Sequence, residues 1–359
     1  MKLLQDLSFN EMKELAARYG EPAFRAEQLY SLAMRHKEFD EATNLPKKFT
    51  EALRKEYFAT ALEIVETYRG KDGAEKYLFA LRDGNVIEGV YMPHNYGDTL
   101  CVSTQVGCRM GCVFCASGLN GLVRNLTAGE ILAEVLAVNR LHGGTPDKRA
   151  ITNVVLMGSG EPLDNYDNVT KFLRLVSDER GINISLRNIS LSTCGLPDKI
   201  RALADSGLHV TLTVSLHAAT DEKRSALLPV NRKYNIASVL EAVGYYFART
   251  GRRIIFEYAL AEGKNADAKS AEELAELVKG INCHVNLINL NYVRERGMRG
   301  IASGEIGEFM KILEKRGISV TLRRSMGNDI GGACGQLRVK YLKEKDATAA
   351  KNATCGEEE

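Results

Sequence analysis

Beyond residue 98 the chain alternates strand-like and helix-like segments, and this alternation restricts its architecture more than any other feature. Strand candidates begin near Leu100, Asn153, Asn188, His209, Ile254, Val285 and Ser319. Between them, apolar residues recur at helical spacing over 127–142, 167–179, 198–206, 236–250, 268–280 and 303–316. Thr127-Ala128-Gly129-Glu130 has the spacing of a capping box ahead of the first of these helices. Six βα units in succession predict a parallel sheet, open or curled into a barrel, because parallel strands need a crossover that a helix supplies. In a βα barrel the working residues gather at the C-terminal ends of the strands. The loops that follow the strand candidates are therefore the places to look for chemistry.

The preceding residues have another character. Residues 1–65 read as a small helical module, with helices over 6–19 and 25–35 separated by Gly20-Glu21-Pro22, and a short one opened by Asn44-Leu45-Pro46. Residues 66–97 read as a β-hairpin linker, with Arg82-Asp83-Gly84-Asn85 as the turn between 76–81 and 86–92. The core then runs over 98–343, and the polar residues 344–359 are expected to be a disordered tail. With 45% hydrophobic and 26% charged residues, a net charge of +2 and 7 prolines in 359 residues, collagen-like, coiled-coil and disordered classes are excluded. No run of about 18 apolar residues exists, and Met1-Lys2-Leu3-Leu4-Gln5-Asp6 lacks a signal-peptide pattern. The expectation is a cytoplasmic protein without a membrane partner.

Four of the eight cysteines, Cys101, Cys108, Cys112 and Cys115, fall within fifteen residues. In a reducing compartment such clustering favours metal binding or catalysis over disulfides. Three thiolates spaced Cys108-x-x-x-Cys112-x-x-Cys115 on one loop can each ligate a different iron of a cubane cluster, which leaves the fourth iron open. A zinc site is the alternative. It needs four ligands, and Cys101 or His142 would complete it. Cys194 and Cys283 read as buried thiols that act as small hydrophobes.

The run from Cys101 to Gly118, Cys-Val-Ser-Thr-Gln-Val-Gly-Cys-Arg-Met-Gly-Cys-Val-Phe-Cys-Ala-Ser-Gly, resembles the radical S-adenosylmethionine (SAM) enzymes in its cysteine spacing. Over its full length it resembles the RlmN/Cfr family of RNA adenine methyltransferases. The resemblance continues through Arg124-Asn125-Leu126-Thr127, Met157-Gly158-Ser159-Gly160-Glu161-Pro162-Leu163, Leu191-Ser192-Thr193 and Ser215-Leu216-His217-Ala218. It extends to 229–234, to 329–337 around Cys334, and back to Phe24-Arg25-Ala26-Glu27-Gln28 in the helical module. One segment departs, since 287–292 lacks the prolines usual around the asparagine that matches Asn291.

This resemblance implies an α/β fold, a partial (β/α)6 TIM-like radical SAM barrel with an N-terminal helical domain and a short β-hairpin linker. It implies a [4Fe–4S] cluster on Cys108, Cys112 and Cys115, and SAM held by Gly160, Glu161, Ser192, Ser215, Leu216, His217 and Asn291. It implies methylation of C2 of adenine in 23S rRNA and in tRNA, in a monomer supplied with electrons by a protein such as flavodoxin or ferredoxin. A second type within the family acts on C8. An sp² adenine carbon is not nucleophilic, so direct transfer from SAM fails. The family's route first methylates Cys334, draws a hydrogen from that methyl group with a radical derived from a second SAM, and adds the carbon to the ring. Cys101 then attacks the sulfur of Cys334, which leaves a disulfide and frees the product.

The residues themselves suit these roles. Glycines let the backbone of 158–160 approach a ligand, and Glu161 can accept from an ammonium group. Cys334 lies among glycines rather than core residues. Glu88 is an acid in an otherwise apolar strand, where burial raises a carboxyl toward the range useful for taking a ring proton. Residues 284–345 hold twelve Lys/Arg against six acids. Arg294, Arg296, Arg299, Arg323 and Arg324 are expected to meet phosphates, as are Arg25, Lys47 and Lys48 of the helical module. A non-enzymatic Fe–S protein that binds RNA or senses redox state would share the cysteine loop, but it leaves Cys334, Glu88 and the Gly160-Glu161 turn without a task.

Overall fold

Ten strands form one sheet in which every strand lies beside its sequence neighbours. They are β1 (Leu62–Arg69), β2 (Glu75–Leu81), β3 (Val86–Met92), β4 (Thr99–Cys101), β5 (Asn153–Leu156), β6 (Ile189–Thr193), β7 (Thr211–Ser215), β8 (Ile254–Leu260), β9 (Cys283–Asn289) and β10 (Val320–Leu322). The computed structural model describes residues 1–290, 296–324 and 326–330. Asn291, Arg294, Cys334 and the tail 344–359 lie outside the described residues.

From β4 to β10 all neighbours are parallel, as the alternation predicts. The crossovers carry α4 (Ala128–Leu141), α5 (Tyr166–Val176), α6 (Pro197–Asp205), α7 (Asp221–Leu227), α8 (Ile236–Thr250), α9 (Ala268–Val278) and α10 (Ser303–Lys315). Six of the seven follow the helical periodicity of the sequence to within a few residues. The short α7 was not expected. The capping box forms: Thr127 Oγ1 accepts from Glu130 N at 3.2 Å, and the Glu130 carboxylate accepts from Thr127 N at 2.8 Å.

The strands' outward residues, among them Leu191, Leu212, Val214, Phe256, Val285 and Leu287, are buried beneath the helices in one continuous core. Their inward partners are small or polar, including Ser192, Thr213, Ser215 and Glu257. A barrel interior is normally filled by branched aliphatics. Here the inner face lacks that bulk, and the sheet curls around an open cavity lined from β3 round to Arg323, just after β10.

The expected hairpin linker requires correction. The hairpin of β2 and β3 is present, but β1 precedes it, so three antiparallel strands extend the parallel sheet from β4. β1 begins at Leu62, inside the segment read as helical. A bulge between Ile64 and Glu66 interrupts its period-2 alternation, which is why the strand pattern is weak in the sequence.

The N-terminal module contains α1 (Phe9–Arg18), α2 (Phe24–Met34) and α3 (Lys47–Leu53). Its apolar residues share the core of the barrel. Asp6 Oδ1 accepts from Gly129 N at 2.6 Å, and a Cβ at Gly129 would lie 2.7 Å from the carbonyl carbon of Gln5. A glycine at the start of α4 thus lets the module dock. The first and last strands do not pair, but the chain after β10 returns to the β1–β2 turn. Gly327 N donates to Asp72 Oδ2 at 2.8 Å, and Lys71 N donates to Asp329 Oδ2 at 3.1 Å. No described helix is long and apolar enough to cross a membrane.

Candidate active site

The three clustered cysteines sit on a loop pinned at both ends and in the middle. A short hairpin of Gln105–Gly107 with Leu122–Asn125 holds its ends. Gly107 has φ +80, and a Cβ there would lie 2.0 Å from the Gly121 carbonyl oxygen, so the hairpin closes only on glycine. Within the loop, Val113 N donates to Leu227 O at 3.0 Å, and Arg296 Nε donates to Cys115 O at 3.2 Å.

Cys108, Cys112 and Cys115 line a cavity of about 330 Å³, together with Cys101 and Cys194. Burial pushes the Cys108 thiol up to about 12, with the Cys115 thiolate adding to the rise. Burial raises Cys112 as well. Thiols so placed stay neutral until a cation compensates them, and iron does that. Among the described residues no three His, Cys, Asp or Glu side chains close on a single ion. Three thiols around a shared cavity fit a cubane, in which each iron takes one thiolate. His142 is not available as a zinc ligand at this cavity. Its Nε2 lies 2.9 Å from the Tyr77 hydroxyl, and its ring stacks on Tyr91 on the helix side of the sheet.

The Gly158-Ser159-Gly160-Glu161 turn after β5 presses against the chain leaving β4. A Cβ at Gly158 would meet Val102 O at 2.6 Å. One at Gly160, where φ is +110, would meet Gln105 Cβ at 2.6 Å. The Glu161 carboxyl is raised by burial and is fixed by two backbone donors, Leu163 N at 3.0 Å and Cys194 N at 2.8 Å. Gly160 and Glu161 both line the cavity.

The ends of β6 and β7 supply the next wall. Ser192, Ser215 and His217 line the cavity. Leu216 belongs to the same turn, but its side chain is in the core, so only its backbone is available to a ligand. His217 has φ +57, and its Nδ1 accepts from Ala259 N at 2.9 Å, which puts the ring proton on Nε2. Burial, aided by the Arg224 charge, lowers its imidazole to about 3, so it is a neutral donor.

Two charged residues in this wall went unnoticed in the sequence. Arg224 of α7 has no exposed surface. It donates to the carbonyls of Cys194 at 2.6 Å, Ser215 at 3.2 Å and Leu216 at 3.2 Å, and to Asn231 Oδ1 at 2.7 Å. One guanidinium therefore joins the turns after β6 and β7. Glu257 of β8, raised by burial, accepts from Ser192 Oγ at 3.3 Å and pairs with Arg323 at 3.3 Å. An acid inside Phe256-Glu257-Tyr258-Ala259-Leu260 is the same signal that marks Glu88. The phosphate-contact expectation changes accordingly: Arg323 is committed to Glu257 and Arg296 to the cysteine loop.

Cys101, at the end of β4, is buried and faces the cavity. Glu88 is buried on β3, but it is not alone among apolar residues as expected. Its Oε2 lies 2.9 Å from Nζ of Lys76 on β2.

Residues 102–268 match the Radical SAM superfamily. The chain is 48% identical over 348 residues to a Clostridium perfringens protein described as a probable dual-specificity RNA methyltransferase RlmN, covering 96% of this chain and 99% of that one. A Geobacillus thermodenitrificans protein of the same description is 47% identical over 344 residues, covering 95% and 94%. A crystal structure of a radical SAM methyltransferase from Sphaerobacter thermophilus superposes with a TM-score of 0.89 at 42% identity, covering 94% of this chain and 99% of that one.

Proposed function

The chain belongs to the RlmN family of radical SAM RNA methyltransferases, and from that premise we propose that it methylates C2 of adenine in 23S rRNA, at the peptidyl-transferase centre, and in tRNA beside the anticodon. The observation that carries the reading is one cavity at the strand ends lined by the three-cysteine loop, the glycine turn and the buried thiol Cys101. Cys108, Cys112 and Cys115 hold the [4Fe–4S] cluster. Gly160, Glu161, Ser192, Ser215, the Leu216 backbone, His217 and Asn291 hold SAM. When bound, cluster and SAM together supply one-electron cleavage of a carbon–sulfur bond.

The chain's own residues do the rest. Cys334 carries the methyl carbon to the ring, and Glu88 takes the ring proton. The Cys101 thiolate attacks the Cys334 sulfur: a sulfur–sulfur bond forms, the sulfur–carbon bond to the modified base breaks, and its electron pair takes up a proton to complete the methyl group. An adenine that must be reached at a ring carbon is presented single-stranded or splayed out. Lys47 and Lys48 of the N-terminal module face the RNA, with the Lys47 side chain 90% exposed, whereas Arg25 is committed within the module to Gln28 Oε1 at 2.7 Å and Asn44 O at 2.9 Å. The protein works as a cytoplasmic monomer, with a small electron-transfer protein such as flavodoxin or ferredoxin as donor.

The test is anaerobic reconstitution with iron and sulfide, followed by incubation with SAM, reductant and unmodified 23S rRNA fragment or tRNA, and nucleoside mass spectrometry. The expected product is 2-methyladenosine, absent with Cys334→Ala, and Cys101→Ala is expected to trap a covalent RNA–protein adduct. 8-Methyladenosine would overturn the regiochemistry. No methylated adenosine from either RNA would overturn the substrate.

A further inference from the structure

Lys76 is buried without any exposed surface in the middle of a strand, and its ammonium lies 2.9 Å from Glu88 Oε2. The strand registers place this pair with respect to the cavity. Lys76 stands opposite Val90 on β3, and Val90 stands opposite Cys101 on β4. Lys76, Val90 and Cys101 therefore form one row across three strands, on one face of the sheet, and Val90 and Cys101 both line the cavity. Glu88 lies two residues before Val90 on β3, hence on the same face and diagonal to the Cys101 thiol. The backbone of Glu88 is fixed too, since its carbonyl accepts from Ser103 Oγ at 2.8 Å.

Burying an ammonium and a carboxylate together strips both ions of their hydration, and apolar pairs of similar volume often hold a fold as well. Stability alone gives no reason for this pair. Next to the thiol that resolves the adduct, it has a chemical one.

We infer that Lys76 is the positioning residue for Glu88, holding it as an oriented carboxylate beside Cys101 so that it can accept the C2 proton of the RNA adduct. The inference rests on the reading of Glu88 as the base. In the step, the proton leaves C2 for the Glu88 carboxylate, the electron pair of the C–H bond stays with the ring, and the unpaired electron left by radical addition passes to a one-electron acceptor, a role the oxidised cluster would fill, so that the ring regains its aromaticity. Lys76 keeps its own proton throughout, and the pair passes from ammonium–carboxylate to ammonium–carboxylic acid. Without the ammonium, the Glu88 carboxylate loses the partner that fixes Oε2 at 2.9 Å and no longer meets C2 in a productive orientation.

The experiment uses the full chain with its cluster reconstituted, given SAM, reductant and unmodified 23S rRNA fragment. Three readouts are followed: methylation of Cys334 by peptide mass spectrometry, covalent RNA–protein adduct on denaturing gels, and methyladenosine. Lys76→Met is expected to methylate Cys334 as the wild type does, to accumulate adduct, and to release product on the order of 100-fold more slowly, the scale of a lost general base. Lys76→Arg, which keeps the cation, should recover most of the release rate. Lys76→Met that turns over normally, or that loses Cys334 methylation together with product and shows no adduct, would overturn the inference. The double variant Lys76→Met/Glu88→Gln removes both charges and remains readable if the single variant folds poorly. It should release product at the rate of Glu88→Gln alone, and a further tenfold loss would count against the inference. Glu88→Gln separates the two readings. If it turns over normally, the base assignment fails. If it accumulates adduct and Lys76→Met does not, only the role of Lys76 falls.

Discussion

The backbone N–H of Val113 donates to the carbonyl of Leu227 at 3.0 Å, so the cysteine loop is tied to the short helix α7 and not only to its own hairpin. Leu227 and Leu228 also pack against Met110, Cys112 and Phe114. Val113→Pro removes the donor while leaving the thiols in the sequence. The expected outcome is a clear fall in iron and sulfide bound after reconstitution, with far-ultraviolet circular dichroism unchanged.

Arg224 of the same helix ties the turn after β6 to the turn after β7. Arg224→Met leaves the carbonyls of Cys194, Ser215 and Leu216 buried without their donor. Each buried unsatisfied group costs about 1–3 kcal/mol, so three of them should cost at least about 3 kcal/mol, read by urea unfolding of the apoprotein. SAM affinity, measured by calorimetry, should fall with it.

Gly160 combines φ +110 with a Cβ position 2.6 Å from Gln105 Cβ. Gly160→Ala must move the turn that carries Glu161. With strain of about 1–3 kcal/mol at such a backbone position, SAM binding should weaken by roughly tenfold or more. Gly244→Ala, on a helix with open space around it, should leave SAM binding unchanged.

His36 is half-buried, its Nδ1 3.1 Å from Gln5 Nε2, and burial lowers its imidazole from 6.5 to about 4, with the charges of Arg140 and Arg82 acting in the same direction. Its folded value is depressed, so between pH 6.5 and 4 the unfolded chain binds a proton that the native chain refuses. This contribution to stability is complete above pH 6.5 and is lost as the pH falls toward 4. By pH 5 the loss amounts to about 2 kcal/mol. Buried carboxyls such as Glu134, raised well above its ordinary value by burial, act in the opposite direction. The test is therefore a difference: the gap between wild type and His36→Gln in urea unfolding should narrow from pH 7 to pH 5.

The parallel core was legible because each element carries its own period: strands at two, helices at 3.6, with Thr127 and Glu130 marking a start. Placing the motifs at strand ends then followed from fold class. What stayed hidden is long-range. α7 is only seven residues, Asp-Glu-Lys-Arg-Ser-Ala-Leu, with too few apolar positions to show a stripe. Lys76 and Arg224 carry no sequence mark of burial, because lysine and arginine are mostly exposed. Only the pairing of β2 with β3, and of the β6 and β7 turns with α7, shows what each is for. Glu257 could have been found by the rule that singled out Glu88.

The strand order has a consequence for synthesis. Each strand of the large sheet pairs with the one made just before it, so the sheet can grow from β1 as the chain leaves the ribosome, with no early strand waiting for a distant partner. The exception is the contact of Gly327 and Asp329 with the β1–β2 turn, which joins residues 255 and 258 positions apart. That contact must come last. Cys334 follows Asp329 by five residues, so a truncated or stalled chain can carry a finished cysteine loop and still lack both this contact and Cys334. Order of translation itself would then keep radical chemistry waiting until the molecule is whole.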